Sequence, residues 1–145
     1  METSSEEQTI AAAAAFSRGL TCGDVVALHG DLGAGKSVFC RAVIRALCGD
    51  EALEVPSPTF TLVQVYDYAG GEIWHFDLYR LSAPEEIYET GWEEALAGGI
   101  ALVEWPERLG GLLPVRRIDV TLAEVTGHPE KRVIEIIRHE HDETR

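Results

Sequence analysis

Residues 25–37 read VVALHGDLGAGKS, and this stretch decides the fold of the chain. Val25 to His29 form a continuous apolar run, which is typical of a strand buried on both faces. Glycines follow at once, and from Ser37 to Cys48 apolar residues recur at helical spacing. The pattern predicts a buried strand, a glycine loop and an amphipathic helix, in that order.

The eight residues from Gly30 to Ser37 fit the pattern G-x-x-x-x-G-K-[ST]. Glycines allow backbone N–H groups to point at phosphate oxygens, and the positive end of the following helix adds to the attraction. Lys36 is expected to reach the β- and γ-phosphates, and the Ser37 hydroxyl to ligate Mg²⁺. The alternative is a glycine-rich turn that matches by chance, which the flanking strand and helix disfavour.

Two acids stand late in apolar strands further along the chain. Asp77 follows Trp74-His75-Phe76, and Glu104 closes the run Ile100 to Val103. Because the carboxyl ends of parallel strands meet at one edge, both carboxylates are expected to face the ligand of the glycine loop. They are candidates for holding the metal and activating water. The alternative for each acid is a helix cap or a salt-bridge partner.

The remaining sequence predicts further strands and helices around this nucleus. We expect a helix that begins at Ser4 or Ser5 and ends near Gly19, a short helix opening at Pro84, and strands at 60–68, 72–78, 100–104, 118–122 and 132–137. Together they predict one α/β domain over residues 1–145 with a P-loop NTPase-like, three-layer fold. Its sheet is expected to be mostly parallel with antiparallel additions, and a charged tail to follow from about residue 138.

The charge balance restricts the partners of the protein. The 145 residues include 12 Lys plus Arg against 25 Asp plus Glu, a formal net charge of −13. Autonomous nucleic-acid binders use clustered basic residues, so any nucleic acid is expected to be reached only through a partner. The acidic start of the chain is unlike a signal peptide, and the alanine run at 11–15 is too short to span a membrane. We therefore expect a cytoplasmic protein, with its three cysteines reduced.

Further residues bear on which nucleotide binds and on which side chains surround it. The chain contains no Asn, so it lacks the Asn-Lys-x-Asp segment that reads guanine, and ATP is the expected nucleotide. Residues 57–61, Ser-Pro-Thr-Phe-Thr, either sense the γ-phosphate or form a stiff turn into a strand. Arg80 either stabilises charge in the transition state or pairs with an acid.

From Thr9 to about Ile137, the chain resembles the bacterial TsaE family, the ATPases of tRNA threonylcarbamoyladenosine biosynthesis. The resemblance is carried by four blocks: residues 30–37, residues 57–63 (SPTFTLV), residues 75–81 (HFDLYRL) and residues 104–108 (EWPER). It implies a small P-loop ATPase that works with a tRNA threonylcarbamoyl transferase and its pseudo-enzyme partner subunit. ATP hydrolysis would support turnover of that complex, which modifies the adenosine next to the anticodon of tRNAs reading ANN codons.

The resemblance also implies roles for individual residues. Asp77, Glu104 and Lys36 are the expected catalytic residues, and Ser37, Glu104 and Asp77 the expected ligands of Mg²⁺. The expected nucleotide-binding residues are Thr9, Asp31, Leu32, Gly33, Ala34, Gly35, Lys36, Ser37, Val38 and Thr59. Trp105 resembles an aromatic beside the family's site, although core packing explains it equally well. The family usually has Thr where Ser37 stands, a change that keeps the hydroxyl.

Two other functions remain open at this stage. A small-molecule kinase of the P-loop class would need a basic lid, but residues 81–107 contain no Lys or Arg. A nucleotide-gated interaction module would bind ATP without appreciable hydrolysis. Residues 81–107 also carry seven acids; apart from Glu104, these could guide a basic protein partner or form an ordinary solvated surface.

Overall fold

The computed structural model describes residues 1–58 and 60–139. Two expectations fall partly or wholly outside these residues. Thr59, which was expected to bind the nucleotide, lies outside the described residues, and so do residues 140–145 of the expected tail. Residues 138 and 139, which were also assigned to the tail, belong instead to the last strand.

The described residues form seven strands, three α-helices and two 3₁₀ segments. In chain order they are β1 Glu2–Thr3, α1 Glu6–Ser17, β2 Val25–His29, α2 Lys36–Cys48, β3 Val63–Tyr68, β4 Gly71–Asp77, the 3₁₀ segment Pro84–Thr90, α3 Trp92–Gly98, β5 Gly99–Glu104, the 3₁₀ segment Pro106–Leu112, β6 Arg117–Val125 and β7 His128–His139. Helix α1 begins where expected, because the Ser5 hydroxyl accepts a hydrogen bond from the Gln8 amide.

All seven strands form one sheet in the order β1-β7-β6-β2-β5-β4-β3. The central pairs β6-β2, β2-β5 and β5-β4 are parallel, and the outer pairs are antiparallel. The glycine-loop strand β2 therefore lies in the middle of the parallel region, with both faces buried. The predicted α/β fold, mostly parallel with antiparallel additions, is confirmed.

Helices cover both faces of this sheet. On one face α1 and α2 pack over Val26, Leu28 and Ile100, and the rings of Phe16 and Phe39 lie 5.6 Å apart. On the other face α3 and the 3₁₀ segments enclose a second apolar cluster. There Trp92 meets the ring of Phe76 edge to face at 5.1 Å.

The edges of the sheet differ from the expectation in two places. The two-residue strand β1 was not predicted, because its pairing with β7 is made by backbone groups that leave no sequence pattern. The strand expected from Phe60 begins only at Val63, because the Leu62 amide turns back to the Pro58 carbonyl and Leu62 has a φ of 70°.

Within the described residues, no helix is both long enough and apolar enough to cross a membrane.

Candidate nucleotide and metal site

The glycine loop lies between β2 and α2, where it was predicted. Its tip, Asp31 to Gly33, is exposed, whereas Ala34 is buried beneath it. Gly30 stands at a φ of +147° so close to β6 that a Cβ there would lie 2.5 Å from the Leu122 carbonyl oxygen. Helix α2 starts directly after Gly35, and the Phe39 amide already bonds to the Gly35 carbonyl. The loop and the helix N-terminus therefore have the arrangement expected of a phosphate cradle.

Lys36 is folded back over this loop. Its ammonium donates to the Gly30 carbonyl and lies 3.4 Å from the centre of the Trp105 ring. Burial lowers the pKa of Lys36 from its usual value, although four nearby carboxylates, led by Glu104, act in the opposite direction. Trp105 follows β5 with a φ of 60°, a left-handed conformation that non-glycine residues rarely adopt. The centre of the Tyr79 ring lies 5.0 Å from the centre of the Trp105 ring.

The two predicted acids lie side by side. Strands β4 and β5 are parallel neighbours, and Asp77 and Glu104 are direct partners in their register. Glu104 is also level with Leu28 of β2, just before the glycine loop. Both acids are buried, Asp77 at 5% and Glu104 at 2% exposure. The strand-end argument made from the sequence correctly predicts this juxtaposition.

Glu104 is held by side chains from two elements. Its Oε1 accepts a hydrogen bond from the Ser37 hydroxyl at 3.1 Å, and its Oε2 lies 2.7 Å from Nε2 of His75. The buried Cys40 Sγ lies within 4.8 Å of a Glu104 carboxylate oxygen. Burial, followed by this nearby carboxylate, raises the pKa of the thiol well above its usual value. Cys40 is thus a neutral thiol beside Glu104.

Asp77 connects the site to the 57–61 segment. Its Oδ2 accepts a hydrogen bond from the Ser57 hydroxyl at 3.3 Å, and its Oδ1 accepts one from the Tyr79 amide at 3.1 Å. The segment expected to sense the nucleotide therefore contacts one of the acids expected to act on it. The Arg80 guanidinium lies over the Phe60 ring, 4.7 Å from its centre.

Thr9 lies apart from the acids, on α1. Its hydroxyl is within 2.7 Å of the Thr3 hydroxyl. A cavity beside it is lined by Gly35 and Val38 from the start of α2 and by Arg132 of β7. Thr9 and Val38 thus share one cavity, on the α1 side of the glycine loop.

Residues that were not predicted also contact the site. Arg132 donates from its Nε to the Ala34 carbonyl at 2.8 Å and from a terminal nitrogen to the Gly33 carbonyl at 3.3 Å. It reaches the loop from 98 residues away, a contact that no local pattern could indicate. His75 and Cys40 occupy apolar-looking positions in a strand and a helix, and only the neighbouring Glu104 distinguishes them from core residues.

The side chains around Ser37 fit a magnesium ion. Mg²⁺ prefers hard oxygen ligands and is usually held in nucleotide sites by one or two carboxylates and the substrate phosphates. The Ser37 hydroxyl and a Glu104 carboxylate oxygen are 3.1 Å apart, and Asp77 lies on the adjacent strand in register with Glu104. All three residues that were expected to bind the metal are therefore brought together at one edge of the sheet.

Comparison with known proteins identifies a family. The model of "Threonylcarbamoyl adenosine biosynthesis protein TsaE" matches residues 3–134. The tRNA threonylcarbamoyladenosine biosynthesis protein TsaE of Rickettsia conorii is 46% identical over 133 residues, which cover 92% of this chain and 74% of the relative. The protein of the same description from Haemophilus influenzae is 41% identical over 114 residues, 78% of this chain and 69% of the relative.

A solved structure agrees with the fold. The crystal structure of Bacillus subtilis YdiB superposes with a TM-score of 0.74 at 27% identity, covering 96% of this chain and 84% of that one. The superposition extends beyond the glycine loop to nearly the whole of the present chain.

Proposed function

The chain belongs to the TsaE family of threonylcarbamoyl adenosine biosynthesis proteins, and on that premise we propose that it is the Mg²⁺-dependent ATPase of a tRNA-modifying complex. The complex would form threonylcarbamoyladenosine next to the anticodon of tRNAs reading ANN codons. The observation that carries the ATPase proposal is the 3.1 Å hydrogen bond between the Ser37 hydroxyl and Glu104, which joins the phosphate cradle to the pair of strand-end acids. A simple phosphate-binding loop would not need that pair.

Each part of the site has a task in this proposal. Backbone amides of the glycine loop and the start of α2 bind the phosphates, and Lys36 moves from the Gly30 carbonyl onto the β- and γ-phosphates. Ser37, Glu104 and Asp77 would hold Mg²⁺. The bound ion would neutralise charge on the phosphates as the terminal phosphate leaves. In this proposal, the cavity lined by Thr9 and Val38 receives the adenine end of ATP.

The two acids would divide the remaining work. Glu104 is fixed through both of its oxygens, which suits a residue that holds a metal in one position. Asp77 accepts hydrogen bonds from the Ser57 hydroxyl, at the start of the 57–61 segment, and from the Tyr79 amide. We assign Asp77 to orienting the attacking water, and the 57–61 segment to responding to the terminal phosphate.

The proposed partners are a tRNA threonylcarbamoyl transferase and its pseudo-enzyme partner subunit, with tRNA contacted only through them. The net charge of −13 supports this indirect role. Within residues 84–107, Glu85, Glu89, Glu93, Glu94 and Glu107 are exposed and no basic residue lies among them. This acidic surface suits a basic area on a protein partner. A role in tRNA modification implies a cytoplasmic location.

Hydrolysis of ATP in the presence of the partner proteins tests the proposal. We expect phosphate release that requires Mg²⁺ and that falls by at least about a hundredfold in Lys36→Ala, because an electrostatic contact to the transferred phosphoryl group is removed. The matched control is Lys131→Ala, which removes the only other lysine of the sequence and should leave the rate unchanged.

The same assay separates the proposal from its rivals. Undiminished hydrolysis in Lys36→Ala would contradict the assigned site. Transfer of phosphate to a metabolite, without release of inorganic phosphate, would identify a kinase. Many cycles of tRNA modification sustained by a non-hydrolysable ATP analogue would identify a nucleotide-gated module instead.

A further inference from the structure

His75 lies on the side of β4 that faces the nucleotide site. Successive residues of a strand point to opposite faces, so His75 shares a face with Asp77, two residues later. The ring is 1% exposed, which leaves no room for exchange with solvent. Its partner, Glu104, ends the neighbouring parallel strand on the same face. A histidine buried here is therefore packed directly against the acid that the proposed function assigns to Mg²⁺.

The hydrogen bond defines which nitrogen carries the proton. A carboxylate oxygen can only accept, so Nε2 of His75 donates to Oε2 of Glu104 across 2.7 Å. Nδ1 is also buried, and it has no hydrogen-bond partner among the described residues. A bare nitrogen in that position leaves one weak acceptor unpaired, whereas an N–H there would leave a buried donor unpaired. The geometry is thus that of a ring with its hydrogen on Nε2.

This bond complements the one on the other side of the carboxylate. Oε1 of Glu104 faces the Ser37 hydroxyl, while Oε2 is occupied by His75. With Oε2 held, the carboxylate cannot rotate without breaking a buried hydrogen bond, and Oε1 stays directed towards Ser37. Carboxylates that bind metals are commonly oriented in this way by a second residue that does not touch the metal.

We propose that His75 is a positioning residue, which fixes the Glu104 carboxylate so that its Oε1 is presented to Mg²⁺ beside Ser37. The proposal rests on the proposed function, because it presumes that Mg²⁺ and nucleotide bind at this edge. It assigns to His75 no contact with the nucleotide or the metal. Its specific content is that the N–H donor of the ring matters, beyond the volume that the ring fills.

Two substitutions of similar size separate the donor from the volume. His75→Gln keeps an N–H donor near the position of Nε2, and His75→Met fills similar space without a donor. The readout is the Mg²⁺ concentration needed for tight binding of a fluorescent ATP analogue, with ADP affinity in EDTA as the check on the phosphate cradle. We expect His75→Met to raise the Mg²⁺ requirement by about 10- to 100-fold and leave ADP affinity in EDTA unchanged. His75→Gln should recover most of the loss.

The matched control is the same pair of substitutions at His139. This residue also bonds to a carboxylate, Asp119, but lies with Val25 and Ile118 at the opposite edge of the sheet from the glycine loop. Neither His139→Gln nor His139→Met should change the Mg²⁺ requirement. An equal effect of the two pairs would indicate a general loss of stability and overturn the proposal.

The outcomes for His75 are distinct from those for the proposed function. Equal impairment by His75→Gln and His75→Met, or no impairment by His75→Met, overturns the positioning role. If His75→Met does not fold, ¹⁵N chemical shifts of the wild-type ring decide: a hydrogen on Nε2 supports the role, and an Nε2 without hydrogen overturns it. If wild-type protein binds the nucleotide without any dependence on Mg²⁺, the proposed function fails, and this inference fails with it.

Discussion

Replacement of Gly30 by Ala tests how tightly the glycine loop is built against the sheet. At a φ of +147° any L-residue is strained, and the added Cβ would lie 2.5 Å from the Leu122 carbonyl oxygen of β6. Backbone strain in such a sparsely populated conformation amounts to about 1–2 kcal/mol. Displacing a backbone carbonyl in a packed sheet adds about 1–3 kcal/mol, as overpacking does elsewhere. We therefore expect the free energy of unfolding to fall by about 2–5 kcal/mol in Gly30→Ala.

Gly33→Ala provides the comparison within the same loop. Gly33 also has a positive φ, +87°, but a Cβ there would meet nothing within 4 Å. Only the strain of about 1–2 kcal/mol applies. At about 3 °C per kcal/mol for a chain of this size, thermal unfolding followed by circular dichroism should show a loss of about 10 °C for Gly30→Ala and about 4 °C for Gly33→Ala.

Gly111→Ala is the control, because its Cβ would meet nothing within 4 Å and its φ lies outside the strained range. Its unfolding temperature should be close to that of the wild type. Equal losses for Gly30→Ala and Gly33→Ala would refute the reasoning, since they would mean that the contact with the Leu122 carbonyl has no energetic weight.

Three further predictions address the site and its surroundings. The Lys36 ammonium lies 3.4 Å from the centre of the Trp105 ring, so binding of ATP should change tryptophan fluorescence as Lys36 moves to the phosphates. The Trp105→Phe variant should not show this change. A change that persists in the variant would come from another tryptophan and contradict the prediction. Burial alone would raise the pKa of Asp119, but hydrogen bonds from His29, Arg117 and His139 lower it overall. Its contribution to stability is therefore complete well above the usual carboxyl value of 3.8 and is lost as the pH falls through the lower pKa of the folded state. Denaturant unfolding should show Asp119→Asn less stable than wild type at pH 6 with a difference that narrows below pH 4, whereas a constant difference would contradict this account. Glu85→Gln and Glu89→Gln neutralise part of the acidic surface, and Glu86→Gln removes a half-buried acid beside it. Together they should weaken binding to the proposed transferase partner by about 3- to 30-fold at low salt and less at high salt. Unchanged affinity in a binding titration would contradict the docking role.

Much of the site could be predicted because its position depends on local patterns. The buried run before Gly30 and the helical spacing after Ser37 define the cradle, and the rule that parallel strands end at one edge places Asp77 beside Glu104. These inferences need only the order of strands and helices. They do not need to know which side chains touch across the sheet.

The contacts that refine the site could not be predicted in that way. His75 and Cys40 look like interior residues of a strand and a helix, and their relation to Glu104 depends on strand order and register. Arg132 reaches the glycine loop from the antiparallel edge of the sheet. The late start of β3 depends on the left-handed Leu62, which a run of β-branched and aromatic residues conceals.

The left-handed backbone at Trp105 has a consequence for any attempt to engineer this protein. A tryptophan with a φ of 60° stores about 1–2 kcal/mol of strain, and Gly or Asn would relieve most of it. A library selected only for heat resistance should therefore enrich small residues at position 105 and lose the ring beneath the Lys36 ammonium. Selection for nucleotide turnover should restore the aromatic residue, so the two pressures act against each other at a single position.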